Sequence, residues 1–100
     1  MSETKAVPVK FTIDETTAQG QYVNFANILH NPTEFVLDFG RVVPGRPDVK
    51  VLSRILTTPF HAKQLLRALQ ENVAIYERAY GEIRSDFAMP TPAQNDTKTN

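Results

Sequence analysis

The sequence predicts an α+β fold: a four-stranded antiparallel β-meander followed by one long C-terminal α-helix packed on the sheet. Three observations predict it. Apolar and polar residues alternate through Val9, Phe11 and Ile13, and apolar-rich runs follow over residues 21–57, the pattern of half-buried strands. The clusters His30-Asn31-Pro32-Thr33-Glu34 and Pro44-Gly45-Arg46-Pro47-Asp48 cut that second stretch into strand lengths joined by connections short enough for antiparallel neighbours. After Thr58 the apolar period changes from two to about 3.6, that of an amphipathic helix.

Residues 1–6 are polar, and the reading there is a frayed end. The first strand runs through Val9, Phe11 and Ile13, with Lys10 and Thr12 on its other side; Pro8, which has no ladder donor, suits an edge or a strand start. Residues 14–20 form a loop rich in turn formers. The second, third and fourth strands are expected at 21–29, 35–43 and 49–56. The helix is expected over 59–80, with Thr58 as N-cap and Pro59 in the first helical position. Ala62, Leu66, Leu69, Val73, Tyr76 and Tyr80 follow at spacings of 4, 3, 4, 3 and 4, a stripe that Leu65, Ala68, Ile75 and Ala79 widen. Lys63, Arg67, Gln70, Glu71, Glu77 and Arg78 fill the solvent side, and Gly81 is the C-terminal cap. Residues 1–87 read as one domain, and residues 88–100, poor in apolar side chains, as a disordered tail.

Simple hairpin closure sets Leu29 opposite Phe35, Ile28 opposite Val36, Phe25 opposite Phe39 and Asn24 opposite Gly40. In the second hairpin it sets Val43 opposite Val49, Leu37 opposite Ile55 and Asp38 opposite Arg54. One sheet face then carries Val23, Phe25, Leu29, Phe35, Leu37, Phe39, Val43, Val49, Val51 and Ile55, with Val9, Phe11 and Ile13 added by the first strand, and takes the helix. The other carries Tyr22, Ile28, Val36, Leu52 and Leu56 around the Asp38–Arg54 pair. Scattered surface apolar residues are ordinary, but this face is less polar than a solvated sheet face usually is. It reads as an interface, with Ile75 on the helix flank as a second contact. A one-residue slip would exchange the faces.

The composition narrows the function. One hundred residues suit one modest core, which oligomerisation often supplements. Eleven Lys and Arg balance eleven Asp and Glu, so no global field favours nucleic acid or an anionic surface. The absence of cysteine removes disulfides and thiolate chemistry. No segment has a signal-peptide core or the ~20 apolar residues of a membrane span, so the expected compartment is the cytoplasm, with no membrane partner.

No catalytic, cofactor-binding or metal-binding residues are assigned. Asp38 and Arg54 lack a nucleophile and read as a register-fixing structural pair. His30 and His61 have no carboxylate at ligand spacing, and Gly40 and Gly45 form no phosphate-binding loop. Arg41, Arg46, Lys50 and Arg54 make the hairpin 41–54 basic, which suits either a nucleic-acid backbone or, more simply, a charged strand edge that resists aggregation.

The motifs Tyr22-Val-Asn-Phe-Ala-Asn-Ile, Glu34-Phe-Val-Leu-Asp-Phe-Gly40, Ser53-Arg-Ile-Leu-Thr-Thr-Pro59-Phe-His-Ala-Lys63 and Leu69-Gln-Glu-Asn-Val73, with Tyr76-Glu77 and Tyr80-Gly81, occur in this order. In them the chain resembles a small prokaryotic family catalogued as domain of unknown function 3467, over residues 20–85. The resemblance implies a short bacterial-type protein with no assigned reaction and no cofactor. The expected function is that of a non-enzymatic homo-oligomeric interaction or scaffold protein, a homodimer in the simplest case. The alternatives are a peptide- or client-binding, chaperone-like module that uses an exposed sheet face or edge, and a nucleic-acid-associated protein acting through hairpin 41–54.

Overall fold

The structure, a computed structural model, describes residues 7–85. The expected frayed end at 1–6 and disordered tail at 88–100 lie outside the described residues. The elements are α1 (Glu15–Ala18), β1 (Phe25–Asn31), β2 (Glu34–Val42), β3 (Val49–Thr57) and α2 (Pro59–Tyr80). The strands form one antiparallel sheet in the order β1-β2-β3. The α+β class, the antiparallel sheet and the C-terminal helix are as the sequence predicts.

The sheet has three strands, not four. Residues 7–13, which hold the expected first strand, pair with no other strand among the described residues. Alternation makes a segment suitable for a ladder, but a strand exists only where a neighbour supplies hydrogen bonds. Asp14 then caps α1, its Oδ1 accepting from the Thr17 N–H at 2.7 Å. This single turn of helix lies in the stretch read as a loop.

The β1–β2 register is one residue away from the expected one. Leu29 faces Val36, Ile28 faces Leu37 and Phe25 faces Gly40. The cause is the Asn31 side chain. Its Oδ1 accepts from the N–H and hydroxyl of Thr33 and from the Glu34 N–H, at 2.9, 3.1 and 2.9 Å. The turn therefore closes on Pro32 and Thr33 alone, and Asn31 and Glu34 become the last strand pair. In β2–β3, Leu37 faces Ile55 and Asp38 faces Arg54 as expected, but the register shifts between Phe39 and Gly40, so Val49 faces Val42 rather than Val43. Leu52 is the extra residue of this bulge. Gly40 permits it: a Cβ there would lie 2.5 Å from the Lys50 carbonyl oxygen.

Slip and bulge redistribute the faces. Ala26, Ile28, Phe35, Leu37, Phe39 and Ile55 lie toward α2. Phe25, Leu29, Val36, Val42, Val49, Val51 and Leu56 lie opposite, with Asp38 and Arg54 among them. Thus Ile28 leaves the surface predicted for it, while Phe25, Leu29, Val49 and Val51 join that surface.

Helix α2 spans the expected 59–80. The Thr58 hydroxyl accepts from the His61 N–H at 3.1 Å, and Pro59 occupies the first turn. Gly81, at φ +100°, donates its N–H to the Glu77 carbonyl, and the Glu77 carboxylate takes the Ile83 N–H at 2.9 Å to hold the exit. Among the strands, α2 makes its principal contact with β2. Within the described residues of this single chain, the buried positions are Leu37, Asp38 and Gly40. Leu37 is 6% exposed, while Leu69 on the inner stripe of α2 is 59% exposed.

Candidate interaction surfaces

Three features of the molecule bear on function: an apolar groove, an ion pair on the open sheet face, and a basic hollow at the second hairpin. The groove lies between α2 and the sheet. Ile28, Phe35 and Leu37 form its floor, Ala62, Leu66 and Leu69 its wall, and it encloses about 470 Å³. It exists because the helix stripe approaches the sheet without closing on it. The stripe continues past the groove to Val73, Tyr76 and Tyr80, all exposed, with the rings of Tyr76 and Tyr80 4.9 Å apart. The alternating spacing of four and three is that of a helix–helix seam.

On the open face, the Arg54 guanidinium grips Asp38 with both ends, Nε to Oδ1 at 2.7 Å and NH2 to Oδ2 at 2.8 Å. Asp38 is buried, only 5% exposed, and the Arg54 side chain is mostly exposed. The hydrogen bonds from Arg54 hold the Asp38 carboxyl below its ordinary range, with burial opposing them, and the same bonds raise Arg54. A carboxylate held at both oxygens by a guanidinium is a poor general base, because the pairing lowers its affinity for a proton. The pair satisfies its own charges and fixes β2 against β3.

The basic hollow, about 410 Å³, is lined by Arg41, Val43, Arg46, Asp48, Lys50 and Leu52. Arg41 reaches back across the sheet end and donates to the Tyr22 carbonyl from NH2 at 3.0 Å, with its guanidinium 5.7 Å from the Tyr22 ring centroid. The Asn24 side chain clamps the same end, accepting from the Val42 N–H at 2.8 Å and donating to the Val42 carbonyl at 3.2 Å. Arg46 approaches Asp48 at 3.8 Å, both side chains exposed.

The five residues expected on one sheet face, Tyr22, Ile28, Val36, Leu52 and Leu56, do not share one surface. Val36 and Leu56 stay together on the open face. Ile28 floors the groove, Leu52 lines the hollow, Tyr22 lies against Arg41, and Ile75 is exposed on α2. The groove has no counterpart in the sequence reading, and its signal was the helix stripe itself, wider than one sheet contact needs. His30 stacks on Phe35 at 5.4 Å and His61 meets the Thr58 hydroxyl at 2.8 Å. Among the described residues no three His, Asp or Glu side chains gather at metal-binding distance, and no helix is long and apolar enough to cross a membrane.

A family model described as "Protein of unknown function (DUF3467)" matches residues 1–85. The chain belongs to that family. The match includes every described element and also residues 1–19, which the motif resemblance over 20–85 left out. No curated protein and no solved structure matches the chain.

Proposed function

We propose that this member of the DUF3467 family is a non-enzymatic, homo-oligomeric interaction protein, a cytoplasmic homodimer in its simplest form. The observation that carries this reading is the state of the core. The apolar side chains along the α2 stripe and on the sheet face toward it, Leu65, Leu66, Leu69 and Val73 on α2 and Ile28 and Ile55 on the sheet, are all exposed in the single chain. Full burial of one such side chain is worth about 1.5–3 kcal/mol. The six are about half exposed on average, so covering them is worth roughly half of the full sum, about 5–9 kcal/mol, comparable with the whole net stability of an ordinary domain, about 5–15 kcal/mol. A second copy that packs its α2 along the seam would bury the groove and the stripe together, and a two-fold arrangement makes one patch serve both chains.

A second reading rests on the groove. An apolar trough of this kind also suits an amphipathic segment of a client protein, which would make the chain a peptide-binding module. The basic hairpin supports a nucleic-acid role poorly, because Arg41 and Arg54 are engaged by acceptors within the chain.

Light scattering after size-exclusion chromatography tests the first reading. The expected mass is about twice 11.3 kDa across the concentration range. A mass of one chain at every concentration refutes it.

A further inference from the structure

We infer that residues 7–13 form an exchanged strand, which adds to the open edge of β1 in a second copy of this chain. The inference rests on the homo-oligomeric reading above and says how the N-terminal segment takes part in it. Val7, Val9, Phe11 and Ile13 alternate with Pro8, Lys10 and Thr12, the period of a strand with one apolar side, and all four are exposed, Phe11 by 89%. Among the described residues, no hydrogen bond involves residues 7–13. Such a segment has the pattern of a strand and lacks only the ladder. Ordered structure also stands between it and β1 in the chain. Asp14 caps α1 immediately after it, and Tyr22 and Asn24 are pinned to the far end of β2 through Arg41 and Val42.

The receiving edge is identified by what it lacks. Open edges are normally guarded by charge, proline or a bulge. β3 has Lys50, Arg54 and the bulge at Leu52. β1 reads Phe-Ala-Asn-Ile-Leu-His-Asn, has none of the three, and has no strand on its outer side. Its seven residues match the seven of segment 7–13 in length. Pro8, without an N–H, is tolerated in a strand that becomes the new edge. The added strand restores the four-stranded sheet that the alternation predicts, now built from two chains. By continuity with the seam, the apolar side of the segment joins the face toward α2, and Lys10 and Thr12 continue the face of Asp38 and Arg54.

The chain has no cysteine, so disulfide mapping is unambiguous. Adjacent strands place Cα atoms about 4.5–5.5 Å apart, within disulfide reach. Full-length Thr12→Cys, carrying one tag, is co-refolded with differently tagged full-length chains bearing a single cysteine at each β1 position, 25–31, in turn, and then oxidised. The expected result is a covalent heterodimer at one or two neighbouring positions, at least tenfold above a Glu71→Cys control on the polar side of α2. A chain carrying both cysteines should then give covalent dimers. Closure of that doubly substituted chain upon itself overturns the exchange, as does uniform background at all seven positions while light scattering still finds two chains. A wild-type mass of one chain overturns the oligomeric reading and the exchange with it.

Discussion

Leu69→Ala separates a solitary chain from an assembled one, with Leu37→Ala as internal standard. Leu37 is 6% exposed beneath α2, so its truncation removes buried atoms whatever the assembly state, at a cost of about 2–5 kcal/mol. Leu69 is 59% exposed in the single chain. Were the chain to work alone, less than half of that burial would be at stake, and the cost would be about 1 kcal/mol or less. If a second α2 covers the seam, each chain loses a buried leucine and each dimer loses two. The cost then rises to about 2–4 kcal/mol per chain, comparable with Leu37→Ala. The assay is urea denaturation followed by circular dichroism at two protein concentrations a hundredfold apart. A dimer has a midpoint that rises with concentration, because folding and association are linked by mass action. The expected outcome is a concentration-dependent wild-type midpoint, with Leu69→Ala lowering it about as much as Leu37→Ala. A concentration-independent midpoint together with a nearly neutral Leu69→Ala refutes the reasoning.

Two further outcomes follow from the sheet. Gly40→Ala places a methyl 2.5 Å from the Lys50 carbonyl oxygen and 3.2 Å from Val49 Cγ1; the overpacking cost of about 1–3 kcal/mol exceeds the roughly 0.4–1 kcal/mol gained from a stiffer unfolded chain, so urea melts should show net destabilisation. The Asp38 carboxyl is held below its ordinary value of 3.8 by Arg54; because the folded pKa is the lower one, the pair stabilises the protein above about pH 4 and the contribution fades as acid titrates the folded carboxylate. Asp38→Asn should therefore cost about 1–2 kcal/mol at pH 7, the lower range for a charged hydrogen bond whose Arg end is exposed, and the gap from wild type should narrow at pH 3.

What the sequence made legible was local. Helix 59–80 announced both ends, because Thr58, Pro59 and Gly81 act on the backbone within one turn of themselves. The Asp38–Arg54 pairing matches the hairpin count because two departures cancel: the hairpin closes on Val42 and Val49, one residue away from the expected Val43 and Val49, and the extra residue Leu52 of the bulge restores the count before Asp38 is reached. The β1–β2 register was not. Pro32 has its φ fixed near −65°, unlike the mirror-image turns that usually close two-residue hairpins, so a longer turn was the simpler reading. The three bonds accepted by Asn31 make the short one hold. Glycine inside a strand pattern was a visible sign of a bulge at Gly40, but the side of the ladder that takes the extra residue is a property of the partner strand. The alternation of Val9, Phe11 and Ile13 pointed to a strand that the three-stranded sheet does not contain; the neighbour a strand needs is a matter of tertiary or quaternary geometry, which a period of two does not encode.

The slip and the bulge also decide which apolar surface suits a second copy. Together they move Phe25, Leu29, Val49 and Val51 beside Val36 and Leu56, so the open face is more apolar than the register count suggested. Yet Arg54 stands in that face with its side chain 61% exposed, and covering it would strip water from a guanidinium whose hydrogen bonds to Asp38 engage only part of its donors. The groove between α2 and β2 carries no such penalty. Its floor is Ile28, Phe35 and Leu37, and the one charged side chain that lines it is Lys63, whose long stem lets the ammonium reach water at the rim. Desolvation therefore favours association through the helix seam and disfavours stacking through the open face. The exposed Arg54, paired with the buried Asp38, is what makes that face costly to cover, and the same pair fixes the β2–β3 register behind the groove.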